Sequence, residues 1–511
     1  MITYADYCFI ICVSCSKKVY LRRLFYKFHS MAKGIVGRAI ELRLLKEYIN
    51  SERSEFVAVY GRRRVGKTFL IRKAVNDQFA FFVTGVYKAT KSEQLTNFAI
   101  ALQKYSNAEN LSIQKNWILA FYELSRYLET LPKGKKVIFI DELPWMDTAK
   151  SGFIAALENF WNSWAVLRND IKLIVCGSAT SWMINNLIKS KGGLHNRLTH
   201  HIVLKPFTLH EAEDYFKNFG FGYSRKQIAE CYMAVGGIPY YFSMMDKSLS
   251  AAQNIDQLFF SINAPLKEEF NDLYRALFKN ASPHIAVVTA LATKQMGLSR
   301  KQLLDLTKLT DNGAFGVVLE ELEQCGFIRI YEPFATKVPT MVGRQRNNVI
   351  YQLVDFYTLF YFNFVKQNRY QDECFWTSSY NSPLHNTWAG FSFEMLCLSH
   401  ISQIKQALGI SGIQTFVCSW RGISGETGAQ IDLLIDRKDD TVNICEMKYA
   451  KDEYEITKDY ETRLMNKITT FANATSTRKT LLLTMITTFG VKPNTYSGIV
   501  QRELTLDDLF L

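Results

Sequence analysis

A run of eight residues has the composition and spacing of a phosphate-binding loop. It reads GRRRVGKT and satisfies the pattern G-x-x-x-x-G-K-[ST] at every fixed position. The glycines let the backbone curl so that its N–H groups point at a phosphate chain. Lys67 adds a cation for the β and γ phosphates, and the hydroxyl of Thr68 is a suitable ligand for Mg²⁺. We expect the whole loop to contact the nucleotide: Gly61, Arg62, Arg63, Arg64, Val65, Gly66, Lys67 and Thr68.

The flanking residues predict how this loop is positioned. Residues 56–60 are apolar and indicate a buried strand, whereas residues 69–75 indicate a helix. The order strand, loop, helix places a helix N-terminus, with its partial positive charge, under the phosphates. The pattern therefore predicts a site for ATP and Mg²⁺, and a chance match in a glycine-containing loop is the weaker alternative.

Two adjacent carboxylates follow a second strand-like run. Residues 136–140 are mostly apolar and lead into Asp141 and Glu142. In a parallel sheet the carboxyl ends of the strands face the ligand. We therefore expect Asp141 to hold Mg²⁺ through water, and Glu142 to orient and polarise the attacking water. A solvated Asp-Glu pair that merely ends a strand is the alternative.

Small polar residues follow a third strand-like run at 171–176. Ser178 is the first candidate for sensing the γ-phosphate, and Thr180 is the second. Both residues are also typical of an ordinary turn.

The last third of the chain carries a second group of charged residues. A hairpin centred on the polar turn at 437–440 sets Asp432 opposite Glu446, with Cβ atoms about 5 Å apart. Lys448 lies two residues further on and so points to the same face of the sheet. Two carboxylates and a lysine can bind Mg²⁺, activate water and stabilise a pentavalent phosphate, although such residues also occur together by chance. We expect Glu394, at the start of a helix upstream, to supply a further carboxylate.

The region between these two groups has the pattern of a winged helix. Residues 284–335 indicate three helices followed by a strand. A helix that reads DNA presents basic or amide side chains to base edges and phosphates. The third helix instead carries Glu320, Glu321 and Glu323, and has no Lys or Arg between residues 314 and 325. A module for protein contacts or spacing is therefore favoured over one that reads DNA.

Composition limits the class of protein. The 511 residues, 48% of them hydrophobic, predict about three or four folded domains. No uninterrupted apolar stretch approaches the roughly 20 residues that span a membrane. The ten cysteines have neither zinc-site nor disulfide spacing, which favours a reducing cytoplasm. The formal net charge of +13 favours a polyanionic partner such as nucleic acid, although it also suits solubility.

The first thirty residues differ from the rest. Residues 4–15 are largely apolar and contain a C-x-x-C, and a basic run follows at 17–27. A signal peptide has the opposite order, with its charges before the apolar core. We expect translation to begin at Met31, so that residues 1–30 are an extension outside the folded domains; a short amphipathic tail is the alternative. This segment has five basic side chains and one acidic side chain, which leaves a net charge of +9 on the remaining chain.

The alternation of strand-like and helical patterns predicts an α/β fold in several parts. We expect a phosphate-loop ATPase core with a parallel sheet, a helical lid, a winged helix with its connector, and a C-terminal α/β domain. The expected boundaries are 31–209, 210–280, 281–368 and 369–511.

The motifs together resemble the AAA+/STAND-type "archaeal ATPase" family over nearly everything from residue 34 onward. The matching segments are IVGR at 35–38, GRRRVGKT at 61–68, FIDELPW at 139–145, CGS at 176–178, LHNR at 194–197, KPF at 205–207, GGIPYY at 236–241, YQLVDFY at 351–357, ID at 431–432 and ExK at 446–448. The resemblance implies a phosphate-loop ATPase joined to a winged helix and a C-terminal restriction-endonuclease-like domain of the PD-(D/E)XK type.

The resemblance also implies a role for Arg197. By similarity this residue is a candidate arginine finger, which stabilises charge on the transferred phosphate in cis or from a neighbouring subunit. The second arrangement requires a homo-oligomer. Asn196 precedes this arginine where related proteins usually have glycine, and a plain surface arginine is the alternative.

These inferences lead to one principal hypothesis. A cytoplasmic, Mg²⁺-dependent ATPase uses its nucleotide state to control a C-terminal nuclease-like module that acts on nucleic acid, with DNA favoured. The alternative is a non-cleaving, ATP-operated signalling switch that uses the winged helix and the nuclease-like fold as interaction surfaces. The set of Asp432, Glu446 and Lys448 favours the enzyme, and the acidic third helix favours the switch.

Overall fold

The computed structural model describes residues 34–189, 197–331, 349–422 and 429–511. The expected N-terminal extension with its C-x-x-C lies outside the described residues, and so does most of the LHNR motif. The described chain forms three sheets that are surrounded by helices.

A five-stranded parallel sheet forms the first part of the chain, with strand order β2–β3–β4–β1–β5. Its strands are β1 (Glu55–Tyr60), β2 (Phe81–Thr84), β3 (Lys136–Asp141), β4 (Ile171–Gly177) and β5 (His200–Val203). The helices of this part are α1 (Ala39–Asn50), α2 (Lys67–Ala74), α3 (Lys91–Ser106), α4 (Trp117–Thr130), α5 (Leu143–Met146), α6 (Phe153–Ser163) and α7 (Thr180–Met183).

Alternate residues of strand β1 point into two different cores. Val57 and Val59 belong to one hydrophobic cluster, and Phe56 and Ala58 belong to another. Because helices cover both faces, β1, β3 and β4 are buried along their full length. This arrangement confirms the prediction of an α/β fold with a parallel sheet.

A group of helices follows the first sheet. They are α8 (Leu209–Asn218), α9 (Arg225–Val235), α10 (Pro239–Phe242), α11 (Ala251–Phe259) and α12 (Glu269–Leu277). Three of them begin with a capping box, in which Thr208, Ser224 or Ser250 exchanges hydrogen bonds with the residue three positions later. The Gly-Gly-Ile-Pro segment at 236–239 separates α9 from α10, because proline is suited to the first turn of a new helix.

A small antiparallel sheet with three helices comes next. Its elements are α13 (Ser282–Ala292), β6 (Leu298–Ser299), α14 (Arg300–Thr307), α15 (Gly313–Gln324), β7 (Ile328–Tyr331) and β8 (Ile350–Leu353). The strand order is β6–β8–β7, and the register pairs Arg329 with Gln352.

Four helices connect this sheet to the C-terminal region: α16 (Phe356–Phe360), α17 (Phe375–Ser379), α18 (Pro383–Ser399) and α19 (Ile401–Ala407). Ser382 caps α18 and Pro383 occupies its first turn, so Glu394 lies well inside the helix. The prediction that Glu394 begins a helix was therefore wrong, because the start signal lies further upstream.

The C-terminal region is built on a mixed sheet with strand order β13–β12–β11–β10–β9. Its elements are β9 (Thr415–Arg421), β10 (Gln430–Arg437), β11 (Thr441–Lys448), α20 (Lys458–Thr475), β12 (Thr480–Thr487) and β13 (Arg502–Thr505). Strands β9 to β11 are antiparallel, whereas β12 runs parallel to β11 and β13 runs parallel to β12. Helix α20 provides the crossover that the parallel pair β11–β12 requires.

One hydrophobic core joins these parts of the chain. Val59 of the first sheet, Phe216 of α8, Leu322 of α15 and Ile435 of β10 all belong to the same cluster. The other faces of the first and last sheets have their own clusters. The parts therefore pack directly against one another.

Within the described ranges, no helix combines the length and the apolar character needed to cross a membrane.

Candidate nucleotide site and C-terminal acidic site

The phosphate loop joins β1 to α2 at the carboxyl end of the first sheet. Gly66 caps α2 with a φ of 94°, a left-handed conformation that glycine adopts without strain. Gly61 has a φ of 147°, and a Cβ atom there would collide with the carbonyl oxygen of Leu204. The backbone geometry therefore requires glycine at both positions.

Lys67 is the first residue of α2 and its side chain is buried. Its Nζ donates hydrogen bonds of 3.0 Å to the carbonyl oxygens of Gly61 and Arg62, so the ammonium lies over the loop. Both acceptors are neutral. A phosphate oxygen is a stronger partner for an ammonium group than a carbonyl is, because the hydrogen bond is then charge-assisted on both sides.

Thr68 and Asp141 meet beside the loop. Thr68 Oγ1 donates a hydrogen bond of 2.9 Å to Asp141 Oδ2, and Cys176 Sγ lies 2.6 Å from Asp141 Oδ1. Burial, and then the charge of Asp141, raises the pKa of the Cys176 thiol well above its usual value, so the thiol stays protonated and donates. A hydroxyl and a carboxylate are oxygen ligands of the kind that Mg²⁺ prefers, so these residues fit the ion.

Ser178 holds the Glu142 carboxylate. The backbone N–H and the hydroxyl of Ser178 both donate to Glu142 Oε2, at 3.1 and 2.9 Å. Glu142 itself has a φ of 47°. The serine that the sequence proposes as a phosphate sensor therefore orients the candidate catalytic carboxylate in the described state, and Thr180 is buried at the start of α7.

The side chain of Arg62 is engaged away from the phosphates. It is buried, forms an ion pair with Asp355 and lies over the ring of Phe327, 4.9 Å from its centroid. A guanidinium that is buried against a carboxylate is not available to a nucleotide. The prediction that the Arg62 side chain binds the nucleotide was therefore wrong. Only the backbone of Arg62 forms part of the phosphate loop.

The neighbouring loop residues have different surroundings. Arg64 pairs with Glu269 at 2.5 Å and lies over the ring of Tyr240, 4.7 Å from its centroid, at the wall of the nucleotide cavity. Val65 is buried in the core, so its side chain supports the loop from below. Arg63 is partly exposed.

A cavity of about 340 Å³ opens beside the loop. Its walls are largely apolar and include Ile35, Val36, Phe219, Pro239 and Tyr240. Such a cleft next to a phosphate loop has room for a planar base. Its walls offer few polar groups that could contact the base. The IVGR and GGIPYY motifs thus line the same cavity although about 200 residues separate them.

Arg197 is exposed and lies just before β5. The residues that precede it are not described, so its proposed role as an arginine finger stays a prediction.

The C-terminal residues of the predicted set lie on neighbouring strands. The β10–β11 register pairs Leu433 with Cys445, and Asp432 and Glu446 are the residues next to this pair on the two strands. Lys448 Nζ lies 2.9 Å from Glu446 Oε1. Gln430 Nε2 donates a hydrogen bond of 2.5 Å to Asp432 Oδ1.

Helix α20 adds two residues that the sequence reasoning missed. Tyr460 donates to Glu446 Oε1 at 2.7 Å, and Lys467 donates to Glu446 Oε2 at 2.8 Å. Their spacing of two helical turns, on a helix directly after β11, is a signal that would have placed them on one face. Burial alone would raise the pKa of Glu446, but Lys448 and Lys467 lower it to about 2.

Glu394 has the opposite electrostatic environment. Burial, and then the charge of Asp432, raises its pKa to about 8. Glu394 therefore carries a proton at neutral pH and can donate a hydrogen bond. In the part of the chain that the structure describes, no three His, Cys, Asp or Glu residues are arranged to hold a metal ion. The assignment of a metal to Asp432 and Glu446 accordingly stays a prediction.

Comparison with known proteins defines the class of the first part of the chain. Residues 35–245 match the family model described as an ATPase domain predominantly from Archaea. This segment contains the phosphate loop, Asp141, Glu142 and the apolar cavity. It is therefore similar to ATPase domains of the archaeal type.

Individual relatives are distant. An uncharacterized protein of Methanocaldococcus jannaschii is 24% identical over 376 residues, which cover 73% of this chain and 78% of the relative. Among solved structures, the Walker-type ATPase of Pyrococcus abyssi is 18% identical, with 64% of this chain and 96% of that chain covered and a TM-score of 0.45. The ORC2 protein of Aeropyrum pernix, in its ADPNP-ADP complexes, is 13% identical, with 66% and 94% covered and a TM-score of 0.37.

Proposed function

We propose that this protein is a Mg²⁺-dependent ATPase whose nucleotide state controls cleavage of nucleic acid by its C-terminal region. The observation that supports the first half is the meeting of Lys67, Thr68, Asp141 and Glu142 at one edge of the parallel sheet, inside the segment that matches an ATPase family. The proposed units keep the boundaries 31–209, 210–280, 281–368 and 369–511.

The residues of the first site divide the work of hydrolysis. Lys67 and the loop N–H groups bind the phosphates, and Glu142, held by Ser178, orients a water molecule toward the γ-phosphate. Thr68 and Asp141 are the groups that would hold Mg²⁺. When bound, this ion neutralises charge on the phosphates.

The C-terminal region is proposed to be nuclease-like, of the PD-(D/E)XK type. Its mixed sheet is preceded by α18, and α20 follows the hairpin that carries Asp432, Glu446 and Lys448. If this site binds a metal, Asp432 and Glu446 supply its ligands, and the metal supplies the charge that activates water. Lys448 and Lys467 provide cations for a phosphate of the backbone. The net charge of +13 supports nucleic acid, with DNA favoured, as the substrate.

The small sheet with α13 to α15 is proposed to be a winged helix used for internal contacts. Glu320 and Glu323 are exposed on α15, and Glu321 Oε2 lies 2.8 Å from His284 Nε2 on α13. An acidic helix of this kind repels DNA. This module therefore connects the two sites rather than reading bases.

A second candidate function is a switch that does not cleave. The specific observation in its favour is that Lys448, Lys467 and Tyr460 already occupy the Glu446 carboxylate. A metal ion must displace at least one of these partners before it can bind there. In that case the proposed winged helix and the nuclease-like region would act as surfaces that bind other proteins in an ATP-dependent way.

One assay distinguishes these two functions. The full chain is incubated with Mg²⁺ or Mn²⁺ and with single-stranded and double-stranded DNA and RNA, each with and without ATP. Metal-dependent cleavage that disappears in Glu446→Ala supports the nuclease. ATP hydrolysis without cleavage of any substrate favours the switch.

A further inference from the structure

The phosphate loop is physically tied to the small sheet through Arg62. The ion pair between Arg62 and Asp355 is buried on both sides, and the same guanidinium lies over the ring of Phe327. Burial alone would lower the pKa of Arg62, but the Asp355 carboxylate raises it, so the guanidinium is charged. Removing one partner from such a pair leaves a buried charge uncompensated.

Asp355 and Phe327 sit at adjoining ends of two paired strands. Phe327 directly precedes β7, and Asp355 follows β8 after a single residue, Val354. The N–H groups of Val354 and Asp355 donate to the Phe327 carbonyl oxygen, at 2.9 and 3.3 Å. Asp355 also accepts the N–H of Thr358 and thereby caps α16. Any movement of Arg62 therefore acts on both strands at once.

These two strands carry a cation to the C-terminal acidic site. Arg329 of β7 donates from Nε to Gln352 Oε1 of β8 at 2.6 Å. The negative charge of Asp432 acts on its guanidinium. Arg329 thus brings a positive charge toward one carboxylate of the proposed metal site, Asp432.

Met296, just before β6, fixes the small sheet to the C-terminal sheet. Its carbonyl oxygen accepts from Tyr331 of β7 at 3.1 Å and from Arg421 of β9 at 3.0 Å. Its sulfur accepts from Gln430 at 3.7 Å, and Gln430 in turn holds Asp432. The contact between the two sheets is therefore direct.

We propose that Arg62, Asp355 and Arg329 form a relay through which phosphate binding at the loop controls the C-terminal acidic site. Its biological meaning rests on the proposed function of that site. In the described state the positive charge of Arg329 acts on Asp432, and a divalent cation must compete with this charge. When a nucleotide binds to the phosphate loop, the relay moves Arg329 away from Asp432.

The first step of the relay is visible at the loop. Lys67 donates to the carbonyl oxygen of Arg62 in the described state, and a phosphate chain competes for the same ammonium. Loss of this bond changes the backbone at Arg62 and hence the position of its side chain. The coupling must be reciprocal, so filling the acidic site changes nucleotide affinity by the same factor.

Hydrogen–deuterium exchange of the full chain, with and without a non-hydrolysable ATP analogue and Mg²⁺, tests this relay independently of catalysis. We expect exchange rates to change by about fivefold or more in β7, β8 and β10 as well as in the loop. Protection of residues 61–68 without any change in these strands would overturn the proposal. If cleavage is never found but the strands respond, the relay stands and the nuclease assignment fails.

Two substitutions locate the coupling. Arg62→Gln should remove the response of β7, β8 and β10. Arg329→Gln lies far from the loop, so nucleotide binding is retained, and it should preserve the response of β7 and β8 but weaken that of β10 by about twofold or more. Arg300→Gln is the matched control, because Arg300 pairs with Asp311 at the surface of the same module. A β10 response of wild-type size in Arg329→Gln would contradict the relay, even if Arg62→Gln does not fold.

Discussion

Glu142 is held by two hydrogen bonds to one oxygen, which leaves its other carboxylate oxygen to act on water. Asp141, the adjacent residue, is enclosed by Thr68 and Cys176. Two neighbouring carboxylates thus have separate surroundings and separate proposed roles.

Glu142→Gln should bind ATP and fail to hydrolyse it, because the amide cannot act as a general base. We expect kcat to fall about 10²- to 10⁴-fold with little change in nucleotide affinity. Lys67→Ala should lose nucleotide binding instead, since it removes the loop ammonium. Phosphate release and nucleotide titration measure the two effects. Turnover like wild type in Glu142→Gln would remove this residue from the catalytic role.

Ser178→Ala tests whether Ser178 positions Glu142. The hydroxyl bond is lost while the backbone bond remains, so we expect kcat to fall roughly 10-fold, equivalent to about 1.4 kcal/mol. Nucleotide affinity should stay close to wild type. A large loss of affinity with kcat intact would instead indicate that Ser178 contacts the phosphates directly.

Substitutions in the C-terminal site should separate metal ligands from phosphate ligands. Asp432→Ala and Glu446→Ala should eliminate cleavage but retain or strengthen nucleic-acid binding, since a carboxylate repels phosphate until a metal neutralises it. Lys448→Ala and Lys467→Ala should weaken both. Cleavage and gel-shift assays on the same oligonucleotides give the two readouts. Wild-type cleavage in all four variants would exclude an active site here.

At the scale of elements, His400 joins α8 to the region between α18 and α19. Its Nε2 accepts the N–H of Leu209 at 3.0 Å, and its Nδ1 lies 2.8 Å from the carbonyl oxygen of Leu396. Burial lowers the pKa of His400 to about 4. The imidazole is therefore neutral in the folded chain at neutral pH.

This environment predicts a loss of stability in acid. Because the folded pKa lies below the unfolded value near 6.5, the unfolded chain binds the proton first. The contribution is complete above about pH 6.5 and falls by about 3 kcal/mol as the pH approaches 4. His400→Gln should flatten this part of the melting-temperature profile. An unchanged acid slope in His400→Gln would show that other groups cause it.

The strand–loop–helix at 55–74 was predictable because its signals are local: an apolar run, glycines at fixed spacing and a helix after them. The hairpin that brings Asp432 and Glu446 onto neighbouring strands was predictable from the polar turn between two apolar strands. The partners of Arg62 and Arg64 were not predictable, because Asp355 and Glu269 are distant in sequence and no pattern links them. The position of Glu394 differs from the prediction because Ser382 and Pro383, eleven or more residues upstream, supply the start signal of its helix.

At the scale of the whole molecule, one hydrophobic core runs from the nucleotide sheet through the middle helices to the C-terminal sheet. Polar contacts cross the same boundaries: Tyr449, next to Lys448, donates to Glu230 of α9 at 2.7 Å. Helix α9 ends at the glycines that precede Pro239 and the nucleotide cavity. Packing therefore joins the parts of the chain that carry the two sites.

The central claim is that nucleotide controls cleavage at the C-terminal site, and a cleavage assay tests it most directly. Wild type, Lys67→Ala and Glu446→Ala are compared on linear DNA with Mn²⁺, with and without ATP. We expect wild type to cleave severalfold faster with ATP, Lys67→Ala to cleave at a rate that ignores ATP, and Glu446→Ala not to cleave. Equal cleavage by Glu446→Ala and wild type, or an ATP effect that persists in Lys67→Ala, would contradict the claim.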